Sequence, residues 1–327
     1  MPSAYPNNWN STIFANGTNG MVGYLPELFA RKTLKKFYEK SLLSRIVNTV
    51  YAPELKKYGD TIYIRQKPVP TIKDYTVGED LDVEQLTAAE PIQVKVDKAA
   101  YWNYQENDLT TVQTDLKQYM NEAAFEVSKK LQDKIEGGTI MDMVNSATTK
   151  GATIGNSGAT AGRVSGRYNL GTSAAPVTLT VGDASASGLV ANLMGALIEN
   201  NALTDGGKPF VVAPFVFANY LSQSELRAAN ITGDSTGVIR RGQREIGVVQ
   251  GTEIYTTNYL TPTSSGADKV FPILCGTLDA ITFVMQITKT ERIRRERQFG
   301  WLNRGLAVYG YELVKPEALA VAWVKFA

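Results

Sequence analysis

The chain is predicted to be an α+β protein, and three observations predict it. Short stretches of alternating apolar and polar residues recur near both ends. One long stretch carries apolar residues at steps of three and four. Between residues 185 and 284 the two periods alternate, with glycine-bounded turns between them. Alternation every second residue marks a strand with one apolar face, and steps of three and four mark one stripe of a helix.

Taken in order, residues 1–23 are rich in Asn, Gly, Ser and Thr with little periodicity, and are expected to form an arm with no core of its own. Residues 27–50 have mostly helical spacing, from Leu28 through Leu34, Phe37 and Leu42 to Ile46 and Val47, and Pro53 ends the run. Residues 59–98 form a distinct unit. Thr61-Ile62-Tyr63-Ile64-Arg65 and Ile92-Gln93-Val94-Lys95-Val96-Asp97 each alternate as a strand does. The stretch between them holds Pro68, Pro70, Lys73, Asp74, Gly78, Glu79, Asp80, Asp82 and Glu84, too few large apolar residues to fold on itself. An extended hairpin with a polar tip is expected, resting on something else.

The clearest helix is predicted over 109–136, where Leu109, Val112, Leu116, Met120, Val127, Leu131 and Ile135 share a stripe. Asn107 or Asp108 would cap its start and Gly137-Gly138 would stop it. Tyr101, Trp102 and Tyr104 before it are read as a packing hinge between hairpin and helix. Residues 145–175, rich in Gly, Ser, Ala and Thr, are expected to be a long surface loop, and they lack the Gly-x-x-x-x-Gly-Lys-Ser/Thr pattern of a nucleotide loop. The module at 185–284 opens with a helix carrying Leu189, Val190, Leu193 and Leu197. Asp205-Gly206-Gly207 turns into the strand 209–213, and a helix from about 214 to 226 and strands at 248–249 and 253–255 follow. The chain closes with a strand at 281–284, a charged strand at about 291–298, a strand at 306–314 and an alternating tail at 318–324.

Composition narrows the function. The chain has 327 residues, is 43% hydrophobic and 20% charged, and carries a net charge of +2, which is ordinary globular composition without a strongly basic character. Histidine is absent and cysteine occurs once, at Cys275. That excludes a Ser-His-Asp triad, a Cys-His pair, a Cys/His zinc site and an intrachain disulfide. Cys275, within Phe271-Pro272-Ile273-Leu274-Cys275-Gly276, reads as a small buried hydrophobe. No stretch is apolar enough to span a bilayer, and residues 1–8 do not resemble a signal peptide. No catalytic, cofactor or metal residue is identified. Asp80, Asp82 and Glu84 lack the glycine and terminal glutamate of a calcium loop, so solvation or pairing with a basic neighbour is the preferred reading.

The order Gly247-Val248-Val249-Gln250-Gly251-Thr252-Glu253-Ile254-Tyr255, then Gly305-Leu306-Ala307-Val308-Tyr309-Gly310-Tyr311, then Lys315-Pro316-Glu317-Ala318-Leu319 resembles the major capsid proteins of tailed double-stranded-DNA bacteriophages. Asp97-Lys98-Ala99-Ala100-Tyr101-Trp102-Asn103-Tyr104 is similar to the place where that family's extended loop rejoins its spine helix. The resemblance implies the tailed-phage capsid fold of the Hong Kong phage type over nearly the whole chain. Residues 1–50 would be the N-terminal arm and helix, and 51–105 the extended loop. Residues 106–184 and 285–315 would be the peripheral domain, with the spine helix at 109–136. Residues 185–284 and 316–327 would be the axial domain.

The resemblance also implies a structural subunit, not an enzyme. It would form hexamers and pentamers of an icosahedral head around double-stranded DNA, assembled in the host cytoplasm with scaffolding, portal and decoration proteins and matured from a procapsid. A nanocompartment shell of the same fold, or a glycan-binding or glycan-cleaving phage surface protein, are the alternatives. An arm and a hairpin that cannot bury their own apolar faces point to neighbouring copies as partners. The residues expected at those contacts are Ile62, Ile64, Lys73, Asp80, Asp82 and Glu84 on the hairpin, Arg240, Arg241 and Arg244 on a glycine-rich loop, and Arg292, Arg294, Arg295 and Arg297 on the charged strand. The last four are interleaved with Glu291 and Glu296, which favours a solvated face or ion pairs between subunits over DNA phosphates.

Overall fold

The computed structural model describes residues 33–35, 37, 41–51, 61–66, 70–74, 77, 78, 80, 90–107, 116–181, 185–203, 207–223, 245–249, 251–265, 268–296 and 299–327. The predicted arm at 1–23 lies outside them, as do Asp82, Glu84, Arg240, Arg241, Arg244 and Arg297.

In chain order the elements are α1 (Leu43–Ile46), β1 (Thr61–Ile64), β2 (Ile92–Lys95), β3 (Lys98–Asn107), α2 (Leu116–Ile154), β4 (Val177–Leu179), α3 (Ser185–Glu199), β5 (Pro209–Pro214), α4 (Phe215–Gln223), β6 (Glu245–Val249), β7 (Thr252–Thr257), β8 (Thr263–Ser265), β9 (Asp268–Thr277), β10 (Ile281–Arg294), β11 (Gly300–Leu313) and β12 (Leu319–Phe326). The two alternating stretches of the hairpin do pair, antiparallel, with Ile62 opposite Val94. In a second sheet β11 lies between β10 and β3, antiparallel to both. A third sheet runs in the order β4-β12-β9-β5-β7-β6, with β8 added against β9. Its β5–β7 and β12–β4 pairs are parallel, so it is mixed, as the alternation of helix and strand predicts.

The long helix departs most from expectation. It does not stop at Gly137-Gly138 but runs through them to Ile154, 39 residues in all, which at 1.5 Å per residue is about 58 Å. The buried stripe carries on past the glycines, from Leu131 and Ile135 to Ile140, Met143, Val144 and Ala147. Burial of that stripe offsets the roughly 1 kcal/mol that each interior glycine costs relative to alanine. The Tyr259 ring packs beside Gly137, 3.6 Å from where a Cβ would stand, which is ordinary van der Waals contact. The predicted loop at 145–175 is therefore helical for its first third. Asn107 is a strand residue of β3 and not a helix cap.

Two further corrections concern strands. Tyr101, Trp102 and Tyr104 lie within β3, a ten-residue strand, and not in a hinge. The segments predicted as separate strands at 281–284 and 291–298 are one strand, β10, bulged between Ile287 and Lys289. The intervening Gln286, Thr288, Lys289 and Thr290 are polar, which masks the period, but β11 supplies backbone partners on both sides of the bulge.

Three apolar clusters hold these parts together. The largest joins α2, α1 and one side of the two larger sheets, through Phe37, Leu43, Ile135, Met143, Phe283 and Trp323. A second packs α3 and α4 on the other side of the mixed sheet, through Leu193, Phe217, Val211, Ile273 and Cys275. The third joins the foot of the hairpin to β10 and β11. Gly310 allows that junction, because a Cβ there would overlap the backbone of Lys95 and Val96.

Candidate assembly surface

The foot of the hairpin is buried in its own chain. Ile62 and Ile64, expected at a contact between subunits, are 6% and 7% exposed and cluster with Val284 and Val308. The alternation that singled them out was real. It faces β10 and β11 of the same chain instead of a neighbour.

Beyond the foot the chain changes character. Twenty-seven residues, 65–91, connect β1 to β2. Ile72 and Val77 within them are 93% and 92% exposed, and Lys73 and Asp80 are exposed as well. Gly78 turns the backbone at φ +96°.

The basic run on β10 is used largely within the chain. Strand alternation sends Arg292 and Arg294 to one face, where both guanidinium groups lie over the Trp301 ring, 4.7 and 5.4 Å from its centroid. Arg292 Nη2 also donates to Glu106 Oε2 of β3 at 2.8 Å, an ion pair almost withdrawn from solvent. Burial raises the Glu106 carboxyl above its ordinary range, and the opposing pull of Arg292 and Asn303 does not cancel that. On the other face Arg295 donates to Gln105. The expected ion pairs between subunits are thus, for Arg292, a pair inside the sheet. That same outer face carries Arg304, which donates through Nε and Nη2 to Glu291 Oε2 at 2.8 and 2.6 Å. Lys289 pairs with Glu291 too. These contacts hold the Glu291 carboxyl below its usual range.

Polar staples that sequence reasoning did not find fix the long helix in place. Glu136, fully buried on α2, accepts the Leu42 backbone N–H at 2.6 Å and the Gln132 amide at 3.1 Å, which ties the segment before α1 to the helix. Near its far end Asp142 pairs with Lys98 of β3 at 3.1 Å and accepts the Tyr311 hydroxyl of β11. Just past the helix, Asn156 donates to the carbonyls of Glu317 at 2.8 Å and Leu319 at 3.0 Å, and accepts the Asn200 amide. None of these side chains sits in a recognisable motif. They are single polar residues within apolar or glycine-rich stretches, and only their tertiary neighbours distinguish them.

The segment after Asn156 is an ordered loop. Ala161 and Tyr168 exchange backbone hydrogen bonds at 2.8 and 2.9 Å, and Leu170 N–H donates to the Gly158 carbonyl at 2.9 Å. Glu199, the last residue of α3, accepts the backbone N–H groups of Val164 and Ser165 at 2.9 and 3.0 Å. Bonds from Ser165 are the main cause of its lowered carboxyl pKa. Cys275 is fully buried and burial pushes its thiol up to about 12, so it is no nucleophile. Among the described residues no cluster of acidic or Cys side chains could hold a metal, and no helix is long and apolar enough to cross a membrane.

No protein-family model matches the sequence, and no curated protein matches it. Solved structures do. A structure from Mycobacterium phage Che8 is 22% identical, with 88% of this chain and 91% of that one covered and a TM-score of 0.56. The asymmetric unit of the mature capsid of bacteriophage PhiM1 is 14% identical, with 88% and 87% covered and a TM-score of 0.57. The chain therefore has the fold of these phage structures, the fold class that the sequence resemblance implied.

Proposed function

We propose that this chain is the structural subunit of an icosahedral phage head. Many copies form hexamers and pentamers around double-stranded DNA, assembled in the host cytoplasm with the help of scaffolding and portal proteins. The observation that carries this reading is the fold shared with the PhiM1 mature capsid over 88% of the chain. The sequence of the connection 65–91 supports it, since that stretch carries too few large apolar residues to fold on itself and its described residues Ile72 and Val77 are exposed. The proposed mechanism is assembly without covalent chemistry. The mixed sheet and its helices are rigid bodies that meet around a capsomer, and the hairpin reaches over a neighbour.

The test is negative-stain microscopy with light scattering on the purified protein, across concentration and salt, alone and co-expressed with the products of neighbouring genes. Closed particles or capsomer rings are expected. A chain that stays monomeric under every one of these conditions refutes the reading. Deleting residues 66–90 should abolish shells yet leave a folded subunit, because the buried foot keeps β1 and β2 on β10 and β11.

A further inference from the structure

The loop 155–170 is held by backbone hydrogen bonds and by Glu199, yet it presents two arginines that form no ion pair among the described residues. Gly162 has φ +103°, and a Cβ there would lie 2.8 Å from Glu199 Oε2 and 2.9 Å from the Tyr168 ring. The Tyr168 ring in turn fills the space over Gly195 of α3. Glu199 clasps the tip through two N–H groups. Arg163, Val164 and Arg167 are fixed at that tip and exposed, with Val164 at 82%. Among the described residues neither arginine takes part in an ion pair. The carboxylate that the loop does engage is occupied by backbone donors.

A preorganised surface of two guanidinium groups about an apolar side chain fits an extended acidic segment with apolar residues interleaved. The chain contains one. Residues 79–84 read Glu-Asp-Leu-Asp-Val-Glu, four carboxylates in six residues without a basic one. They lie in the connection between β1 and β2, two residues beyond the exposed Val77. Half of that connection, fully extended at about 3.3 Å per residue, reaches about 40 Å. That is roughly twice the radius of gyration of a domain of this length, so the segment can span to another subunit.

We propose that the loop 155–170 is the dock for the acidic connection of a second copy of this chain. Arg163 and Arg167 pair with carboxylates among residues 79–84, and Val164 covers apolar surface of the same segment. The inference rests on the shell reading and adds to it the place on the neighbour where the hairpin lands. Because a rigid loop receives the segment, the ordering cost falls on one partner alone.

The protein is well suited to the test, because Cys275 is its single cysteine and is fully buried. Chains carrying Asp80→Cys and chains carrying Val164→Cys are co-assembled, oxidised, and digested for mass spectrometry. An interchain disulfide between positions 80 and 164 is expected, in yield roughly 100-fold above that in the unassembled subunit at about 10 μM, because docking raises the effective concentration to the millimolar range. In a separate arm, R163E/R167E should weaken assembly at physiological salt, and adding D82R and E84R to the same chain should restore it. Shells that form without the 80–164 link, or that tolerate R163E/R167E unchanged, overturn the proposal. Shells of normal geometry that lose only DNA retention with R163E/R167E assign these arginines to phosphate and overturn it as well. Absence of any oligomer before oxidation refutes the shell reading itself, and scattering identifies that case separately.

Discussion

Asn156→Ala removes one amide from a site with no solvent access. Its Nδ2 donates to the Glu317 and Leu319 carbonyls at 2.8 and 3.0 Å, and its Oδ1 accepts from Asn200, itself buried. The alanine loses three hydrogen bonds at about 1 kcal/mol net each, and it leaves the Asn200 donor buried without that acceptor at a further 1–2 kcal/mol or so. The backbone of residue 156 keeps its own bonds to Gly151 and Val321, so the defect stays local. The expected loss is about 4–5 kcal/mol, read by urea unfolding of the unassembled subunit followed by circular dichroism. At roughly 2 °C per kcal/mol for a chain of this size, the melting temperature should fall by about 8–10 °C. Asn200→Ala should cost only about 1–2 kcal/mol, because Asn156 keeps both carbonyl partners. The double variant should be milder than the sum of the singles by about 1 kcal/mol, since the orphaned donor is gone. A loss below about 1 kcal/mol for Asn156→Ala, with the two variants additive, would refute the idea that this amide joins the end of α2 to α3 and β12.

Arg292→Met should destabilise the subunit by about 3–5 kcal/mol near neutral pH, because it strands the buried Glu106 carboxylate. Glu106 already titrates above its ordinary range, so the folded state binds the proton more tightly than the unfolded state does. Its contribution to stability therefore falls as pH rises from the ordinary carboxylate range through the raised one. Arg292→Met should widen that window, and unfolding curves at pH 5 and pH 8 should show the smaller defect at pH 5. The Glu199 carboxyl is lowered instead, so its hold on the Val164 and Ser165 amides is fully present above the unfolded value and lost as pH falls through the folded one. The protection of those two amides, taken relative to the intrinsic exchange rate at each pH, should fall on acidification below that point, and Glu199→Gln should show the low protection already at neutral pH. Cys275 should resist a thiol reagent at pH 8 in the folded subunit and react at once in denaturant; rapid native reaction would contradict its burial and its pKa of about 12.

Much of this was legible before any coordinates. The hairpin strands, the helix at α3 and the β6–β7 pair all carry short local periods, and such periods depend on nearest neighbours along the chain. Other features depend on distant ones. Gly137-Gly138 reads locally as a helix stop, yet the buried stripe on both sides of the pair carries α2 through it. The polar centre of β10 hides a strand that only the β11 ladder reveals. Ile62 and Ile64 were recognised as one apolar face, but alternation cannot say whether that face meets the same chain or another. For Arg292 the charge was visible in the sequence, while the inward turn toward Glu106 was set by register between strands nearly two hundred residues apart.

The sequence by itself determined the fold class, the absence of histidine and disulfide chemistry, and the acidic, core-poor connection between β1 and β2, because these are properties of composition and of short periods. The tertiary structure alone decided which charges are spent inside the molecule and which remain for a partner. Arg292 is consumed by Glu106, and Glu199 by two backbone amides, while Arg163 and Arg167 are exposed and form no ion pair among the described residues. An ion pair needs its two members within about 4 Å, and that proximity is created by packing, which no local pattern of residues encodes.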